Sequence, residues 1–221
     1  MAIQRKILNT ISNIWNFLLP KDKDVSIIEK MSEKDILAII PASDEIGESY
    51  LKPFFLYKNK LCKKAIWAIK YNKNQIILSK FSNLFYEFII ANIAEENLFS
   101  PFEKPILMPI PMYKDDIQKR GYNQSILIVE EIFKIDNGIN FEIETKIFKK
   151  IKNTPHQSSL KNKNERLKNL KNCFCINENF VKNRNIILID DVITTGTTMK
   201  EARDTLKKAG AKKVMCFSIA H

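Results

Sequence analysis

Apolar residues along this chain recur at two periods, and where one gives way to the other defines its elements. Over residues 1–20, Ile3, Ile7, Ile11, Ile14, Trp15 and Leu18 fall on one helical face. Asn9, Asn13 and Asn16 break the run, so the segment reads as an amphipathic packing helix, not a secretory or membrane-spanning one. Residues 21–52 are mixed and polar, with Pro20, Pro41 and Pro53 as punctuation, and carry no assignable period. From Tyr57 the pattern sharpens. Leu61, Ala65, Ile66 and Ile69 predict a short helix, followed by a polar turn at 72–74. Ile77, Phe81, Leu84, Phe85, Phe88 and Ile89 then predict a long amphipathic helix over about residues 75–96. Its aromatic stripe suits a core better than a base-stacking platform.

The second half alternates between short apolar runs and helical spacing. Residues 105–111 read as a strand running into a proline-bounded loop, and Ile126, Val129, Ile132 and Phe133 predict a helix after it. Ile143, Thr145 and Ile147 alternate and predict a strand over 142–149. Residues 150–172 are polar and basic; an insertion of this kind is often a mobile active-site loop and equally often a surface excursion. Residues 174–180 read as a short strand or turn. The β-branched run 186–189 predicts a buried parallel strand, and Met199, Ala202, Leu206 and Ala209 a helix that ends with Lys207, Lys208 and Gly210. With a further strand over 214–219, the last third is a βαβ unit whose crossover is expected to be right-handed. The fold class expected is α/β: a parallel, doubly wound sheet with a mostly helical N-terminal extension.

Composition narrows the classes of function. The 221 residues are 45% hydrophobic and 28% charged, enough for a sizeable core in one domain with a modest extension. The formal charge of +11 exceeds what one anionic ligand explains. It reads as a solvated lysine-rich surface or as a contact with nucleic acid or another acidic partner. Cys62, Cys173, Cys175 and Cys216 form no CxxC pair, which points to reduced thiols and a cytoplasmic location. His156 and His221 are the two histidines, too few for a histidine metal cluster, and no nucleophile-elbow sequence accompanies either.

The candidate chemistry sits at residues 186–199. A strand leads into Asp190 and Asp191, then through Thr194, Thr195, Gly196, Thr197 and Thr198 into a helix. N–H groups at a helix start and threonine hydroxyls suit a phosphate, and paired carboxylates suit sugar hydroxyls or Mg²⁺. A βα turn carries Asp, Thr and Gly for capping alone, and an Asp pair after a strand also occurs in receiver-type domains. A second anion-friendly stretch joins Pro109, Ile110, Pro111 and Met112 to Lys119, Arg120 and Gly121, again between a strand end and a helix start, though a basic loop without a ligand has the same look.

The complete pattern D-D-x-x-T-T-G-x-T resembles the signature for phosphoribosyl pyrophosphate (PRPP) in type I phosphoribosyltransferases. Residues 57–73, 108–125 (with R-G-Y-N-Q-S) and 153–174 (with T-P-x-Q-S-x-L-x-x-x-x-R-L-x-N-L) resemble, in order and spacing, the ComF family of that superfamily. The resemblance covers most of 57–221 and implies a phosphoribosyltransferase-like domain there, with residues 1–56 as a divergent extension. Family members usually open with a four-cysteine zinc ribbon; residues 1–56 hold no cysteine, so no structural zinc is expected. By resemblance, Asp190 and Asp191 hold the PRPP ribose directly or through Mg²⁺, and Thr194, Thr195, Gly196, Thr197 and Thr198 wrap its 5′-phosphate. Pro109, Ile110, Pro111 and Met112 lie against pyrophosphate, with Lys119 and Arg120 as counter-charges. The implied activity is a glycosyltransferase-class transfer of phosphoribosyl, with loss of pyrophosphate, to an unknown acceptor. The alternatives are a non-catalytic PRPP or nucleotide-binding accessory in DNA uptake (competence) or processing, meeting single-stranded DNA or a DNA-processing protein, and a relic that binds neither. No membrane partner is expected.

Overall fold

The computed structural model describes residues 22–152 and 173–221. The helix expected over 1–20 and most of the basic segment 150–172 lie outside the described residues.

Two short helices come first, α1 (Lys23–Lys30) and α2 (Glu33–Ile39). They are capped by Asp22 and by a reciprocal Ser32–Asp35 capping box. Strand β1 (Leu51–Phe55) leads to α3 (Lys60–Asn72) and α4 (Gln75–Asn97). The polar turn between these helices does two jobs. Lys73 ends α3 in the left-handed conformation, and the side chain of Asn74 caps α4 by accepting from the N–H of Ile77. Strand β2 (Ile106–Pro109), α5 (Lys114–Arg120), α6 (Gln124–Asp136) and β3 (Glu142–Ile143) follow. A two-stranded ribbon, β4 (Lys149–Lys150) with β5 (Phe174–Cys175), and the single turn α7 (Glu178–Val181) precede β6 (Asn185–Val192), α8 (Thr197–Lys208) and β7 (Lys213–Ala220).

The main sheet is parallel, in the order β1-β7-β6-β2-β3. Side-chain parity sorts its two faces. Ile187 and Ile189 join Leu107, Met215 and Phe217 under α1, α2, α3, α4 and α6. Ile186 and Leu188 join Ile106, Met108, Val214 and Cys216 under α8. Helices therefore cover both faces, and the middle stretches of the central strands, 106–108, 186–189 and 214–217, are apolar because neither face meets water. The crossover from β2 through α6 runs toward one edge, and that from β6 through α8 toward the other. The order thus reverses between β2 and β6, where doubly wound sheets open a crevice at the carboxyl ends of their strands.

One expectation changes. The strand read over 142–149 breaks after Ile143, because the Glu144 carboxylate accepts the N–H groups of Lys146 and Ile147 and folds a turn there; Lys149 and Lys150 then pair antiparallel with Phe174 and Cys175. And packing runs unbroken past residue 56: β1 pairs with β7, while Ile28, Ile36 and Ile40 share a core with Phe81 and Phe85. Among the described residues α4 is long and apolar enough to cross a membrane. Here its Phe81, Phe85 and Ile89 are fully buried in that core.

Candidate functional site

Strand β6 does not stop before its carboxylates. It runs through Asp190 and Asp191 to Val192, and strand pleating sends the two side chains to opposite faces. Asp191, 5% exposed, lies on the side of α3 and α6. Its Oδ1 accepts the Gln124 side-chain amide at 3.2 Å, and the Lys70 ammonium stands 3.5 Å from its Oδ2. Asp190 is only half-buried; its Oδ1 accepts both the Ser125 hydroxyl at 2.9 Å and the N–H of Asp191 at 2.9 Å.

The start of α6 sets this up. The Asn123 side chain caps the helix by accepting the N–H of Ser125 at 3.0 Å and donates its amide to the carbonyl of Ile110 at 2.9 Å, tying the helix to the proline loop. Ile110 in turn donates its N–H to the carbonyl of Ile189 at 2.8 Å. The first-turn side chains of α6 are thereby aimed at the end of β6. Arg120 fixes Gln124 from behind, donating to its Oε1 at 2.6 Å. Its guanidinium lies 5.9 Å from the Tyr71 ring centroid. Tyr122 bonds back to the carbonyl of Ile69 at 3.0 Å, which keeps α3, and so Lys70, against the loop.

Burial, and after it the charge of Asp191, pushes the Asp190 carboxyl well above its ordinary value; the Ser125 hydrogen bond offsets part of this. The pair therefore favours added positive charge. Among the described residues Asp191 Oδ2 is buried without a hydrogen-bond donor, with the Lys70 ammonium 3.5 Å away. No group of three or more His, Cys, Asp and Glu side chains suited to a metal occurs among the described residues. Two carboxylates are nevertheless an adequate protein share for Mg²⁺, which keeps waters or ligand phosphates as its other partners. The donor set fits that ion.

After β6 the chain turns through Thr194 and Thr195, both exposed, to Gly196, which starts α8 in the left-handed conformation at φ 71°. A Cβ there would meet Leu51 Cδ1 at 2.9 Å, so both backbone and space call for glycine. The helix start carries no side-chain cap. Thr195 and Thr197 share a hydroxyl contact of 2.8 Å, with Thr197 buried and Thr198 half-buried.

The proline loop divides by role. Ile110 is buried in the core under α8, whereas Pro109, Pro111 and Met112 line a cavity of about 440 Å³ at the carboxyl end of β2. Arg120 is engaged by Gln124, and Lys119 is exposed at the end of α5. Lys70, Gln124 and Ser125 are the groups that sequence reasoning did not place. The N-Q-S run after a glycine, just before helical spacing, carried the signal for the last two: a capping asparagine puts the next two side chains at a helix mouth. Lys70, at the edge of an apolar stripe, carried none.

Comparison with known proteins follows the same lines. Residues 136–221 match the family described as "Phosphoribosyl transferase domain". Competence protein F of Haemophilus influenzae is 33% identical over 116 residues, 52% of this chain and 49% of that protein. Competence protein ComFC of Bacillus subtilis is 33% identical over 138 residues, 59% of this chain and 52% of that protein. The chain thus spans about half the length of the curated relatives it matches. Among solved structures, Trypanosoma cruzi hypoxanthine phosphoribosyl transferase is similar over 63% of this chain and 62% of that one, with a TM-score of 0.38 and 6% identity, too loose a likeness to bear on the site.

Proposed function

The chain belongs to the ComF family of phosphoribosyltransferase-like proteins, and on that premise we propose that the crevice at the end of β6 binds PRPP. The observation that carries the reading is one strand end holding two carboxylates directly before an uncapped helix start reached through threonines and Gly196. Asp190 and Asp191 accept the ribose hydroxyls, or hold Mg²⁺ that does. The 194–198 turn receives the 5′-phosphate on N–H groups and hydroxyls, aided by the helix dipole. Pro109, Pro111 and Met112 border the pyrophosphate, while Arg120 acts through Gln124 in placing Asp191.

Transfer of the ribosyl group to a nucleophile forms a bond at the anomeric carbon as the bond to the pyrophosphate oxygen breaks; the electron pair leaves with pyrophosphate, and positive charge develops on the ring. The chain contributes chiefly position and field: Asp190 lies beside the sugar, and Lys70 keeps Asp191 from turning away. Mg²⁺, when bound, offsets the charge of the leaving group. A second reading keeps the binding and drops the transfer, giving an accessory protein in DNA uptake; the names of the two competence relatives and the +11 charge favour it.

Calorimetric titration with PRPP and Mg²⁺ tests the site, comparing the wild type with the double variant Asp190→Ala, Asp191→Ala. Saturable binding lost in the variant is expected. No binding by the wild type would remove both readings. Pyrophosphate release across a panel of bases and amines then separates enzyme from binder.

A further inference from the structure

Ile193, the residue between β6 and the threonine turn, is held through both of its backbone groups. Val192 is still in register with Ala220, and the N–H of Ile193 donates to the Ala220 carbonyl at 2.9 Å. The Ile193 carbonyl lies 3.0 Å from the imidazole Nδ1 of His221. A carbonyl oxygen can only accept, so Nδ1 carries the proton and donates it. The Ile193 side chain is buried as well, sharing the core under α8 with Met199.

His221, half-buried, is itself fixed. Its N–H donates to the carbonyl of buried Phe55 at 3.0 Å, and its carbonyl accepts the N–H of Tyr57 at 2.7 Å. The ring therefore reaches the end of β6 from the β1 and β7 side, whereas the proline loop follows β2 on the other side of that strand.

We infer that His221 is a positioning residue for the phosphate turn: its ring sets the orientation of the peptide between Ile193 and Thr194. That peptide is trans, and in a planar trans peptide the C=O and N–H point opposite ways. Holding the Ile193 carbonyl on the imidazole thus turns the Thr194 N–H away from His221. At the far end of the turn Gly196 is anchored by α8, its carbonyl accepting the N–H of Lys200 at 2.8 Å. Thr194 and Thr195 span the two anchors. With the ring removed, water can serve the Ile193 carbonyl in either orientation of the peptide, and the flipped one presents an oxygen where a phosphate needs a donor. Closing the strand ladder does not require an imidazole, since the bond from Ile193 to Ala220 already does so. The inference takes its ligand from the PRPP reading.

The test compares the full-chain wild type with His221→Ala and with His221→Asn, which keeps an amide nitrogen in the place of Nδ1. The calorimetric probes, with Mg²⁺, are PRPP, ribose 5-phosphate and pyrophosphate. His221→Ala is expected to weaken PRPP and ribose 5-phosphate by about tenfold but pyrophosphate by less than about threefold, with His221→Asn within about threefold of the wild type throughout. Hydrogen exchange read by mass spectrometry needs no ligand. Amides of residues 194–198 should exchange about tenfold faster in His221→Ala, those of 186–190 at the wild-type rate, and His221→Asn should restore the turn. An equal loss for pyrophosphate, an asparagine variant no better than alanine, or turn amides that exchange at the wild-type rate in His221→Ala would each overturn the assignment. A wild type that binds PRPP, with an alanine variant that binds it equally well, would remove this inference alone. A wild type that binds neither PRPP nor ribose 5-phosphate would remove the earlier reading, and turn exchange would then decide whether His221 holds the peptide.

Discussion

Replacing Asp190 with asparagine should make the ligand-free protein more stable, and increasingly so as pH rises. The carboxyl is raised above its ordinary 3.8 by burial and by the Asp191 charge, so the native state holds the proton in a range where the unfolded chain has released it. Wild-type stability from this group is then complete below about pH 4 and is lost as pH climbs through the folded-state value. Asparagine keeps Oδ1 as acceptor for the Ser125 hydroxyl and the Asp191 N–H, and removes the buried charge and the repulsion. Relief of a partly buried, unneutralised group is worth about 1–3 kcal/mol at pH 8, discounted here because Asp190 keeps some solvent contact. For a chain of this length that corresponds to about 2–12 °C in Tm. Scanning calorimetry of both proteins from pH 5 to 9 without divalent cations measures it. A variant that melts below the wild type at pH 8, or a gap that does not widen from pH 5 to 8, would refute the electrostatic argument. Adding Mg²⁺ with PRPP at pH 8 should then raise the wild type more than Asp190→Asn.

Gly196→Ala forces a Cβ into the left-handed region and against Leu51, and should cost about 1–3 kcal/mol in urea unfolding while weakening PRPP binding. Asp136, buried at the end of α6, accepts the N–H groups of Asn140 and Phe141 and the Tyr86 hydroxyl; Asp136→Ala should lose about 2–4 kcal/mol in the same assay, with PRPP affinity in the folded fraction unchanged. Burial raises the Cys62 thiol to about 12 and the Cys173 thiol to about 11, and raises Cys216 as well. A thiol-reactive dye at pH 8 should therefore label native protein first at half-buried Cys175, and the other three only on unfolding, as peptide mapping would show.

Much of the fold was legible because it rests on periods longer than one turn. The helices beginning at Gln75, Gln124 and Thr197 and the strand through Ile186–Ile189 all announce themselves by spacing. What escaped was set by single polar contacts. Ile143, Thr145 and Ile147 alternate as a strand would, but the Glu144 carboxylate bonds to N–H groups two and three residues on and closes a turn. Residues 23–39 show no period because their helices are only two turns long and bury few residues each, Ile28 in one and Ile36 in the other. At the site, the motif marks the two carboxylates and the threonine turn but not the groups that hold them.

That distinction explains why Asp190 and Asp191, adjacent and chemically identical, are not equivalent. Asp191 is buried, with Gln124 on one oxygen and Lys70 beside the other, so it is fixed before any ligand arrives. Asp190 shares one oxygen between two donors and keeps contact with solvent, so it is the carboxylate able to exchange water or a proton for a ligand hydroxyl or cation. The groups that impose this division, Lys70, Gln124 and Ser125, all lie ahead of residues 136–221, where the phosphoribosyl transferase match falls, as does β2, which separates β6 from β3 in the sheet. The α3 helix and the start of α6 therefore decide how the acid pair is presented, and a change at Lys70 alters the balance between the two aspartates without touching either one.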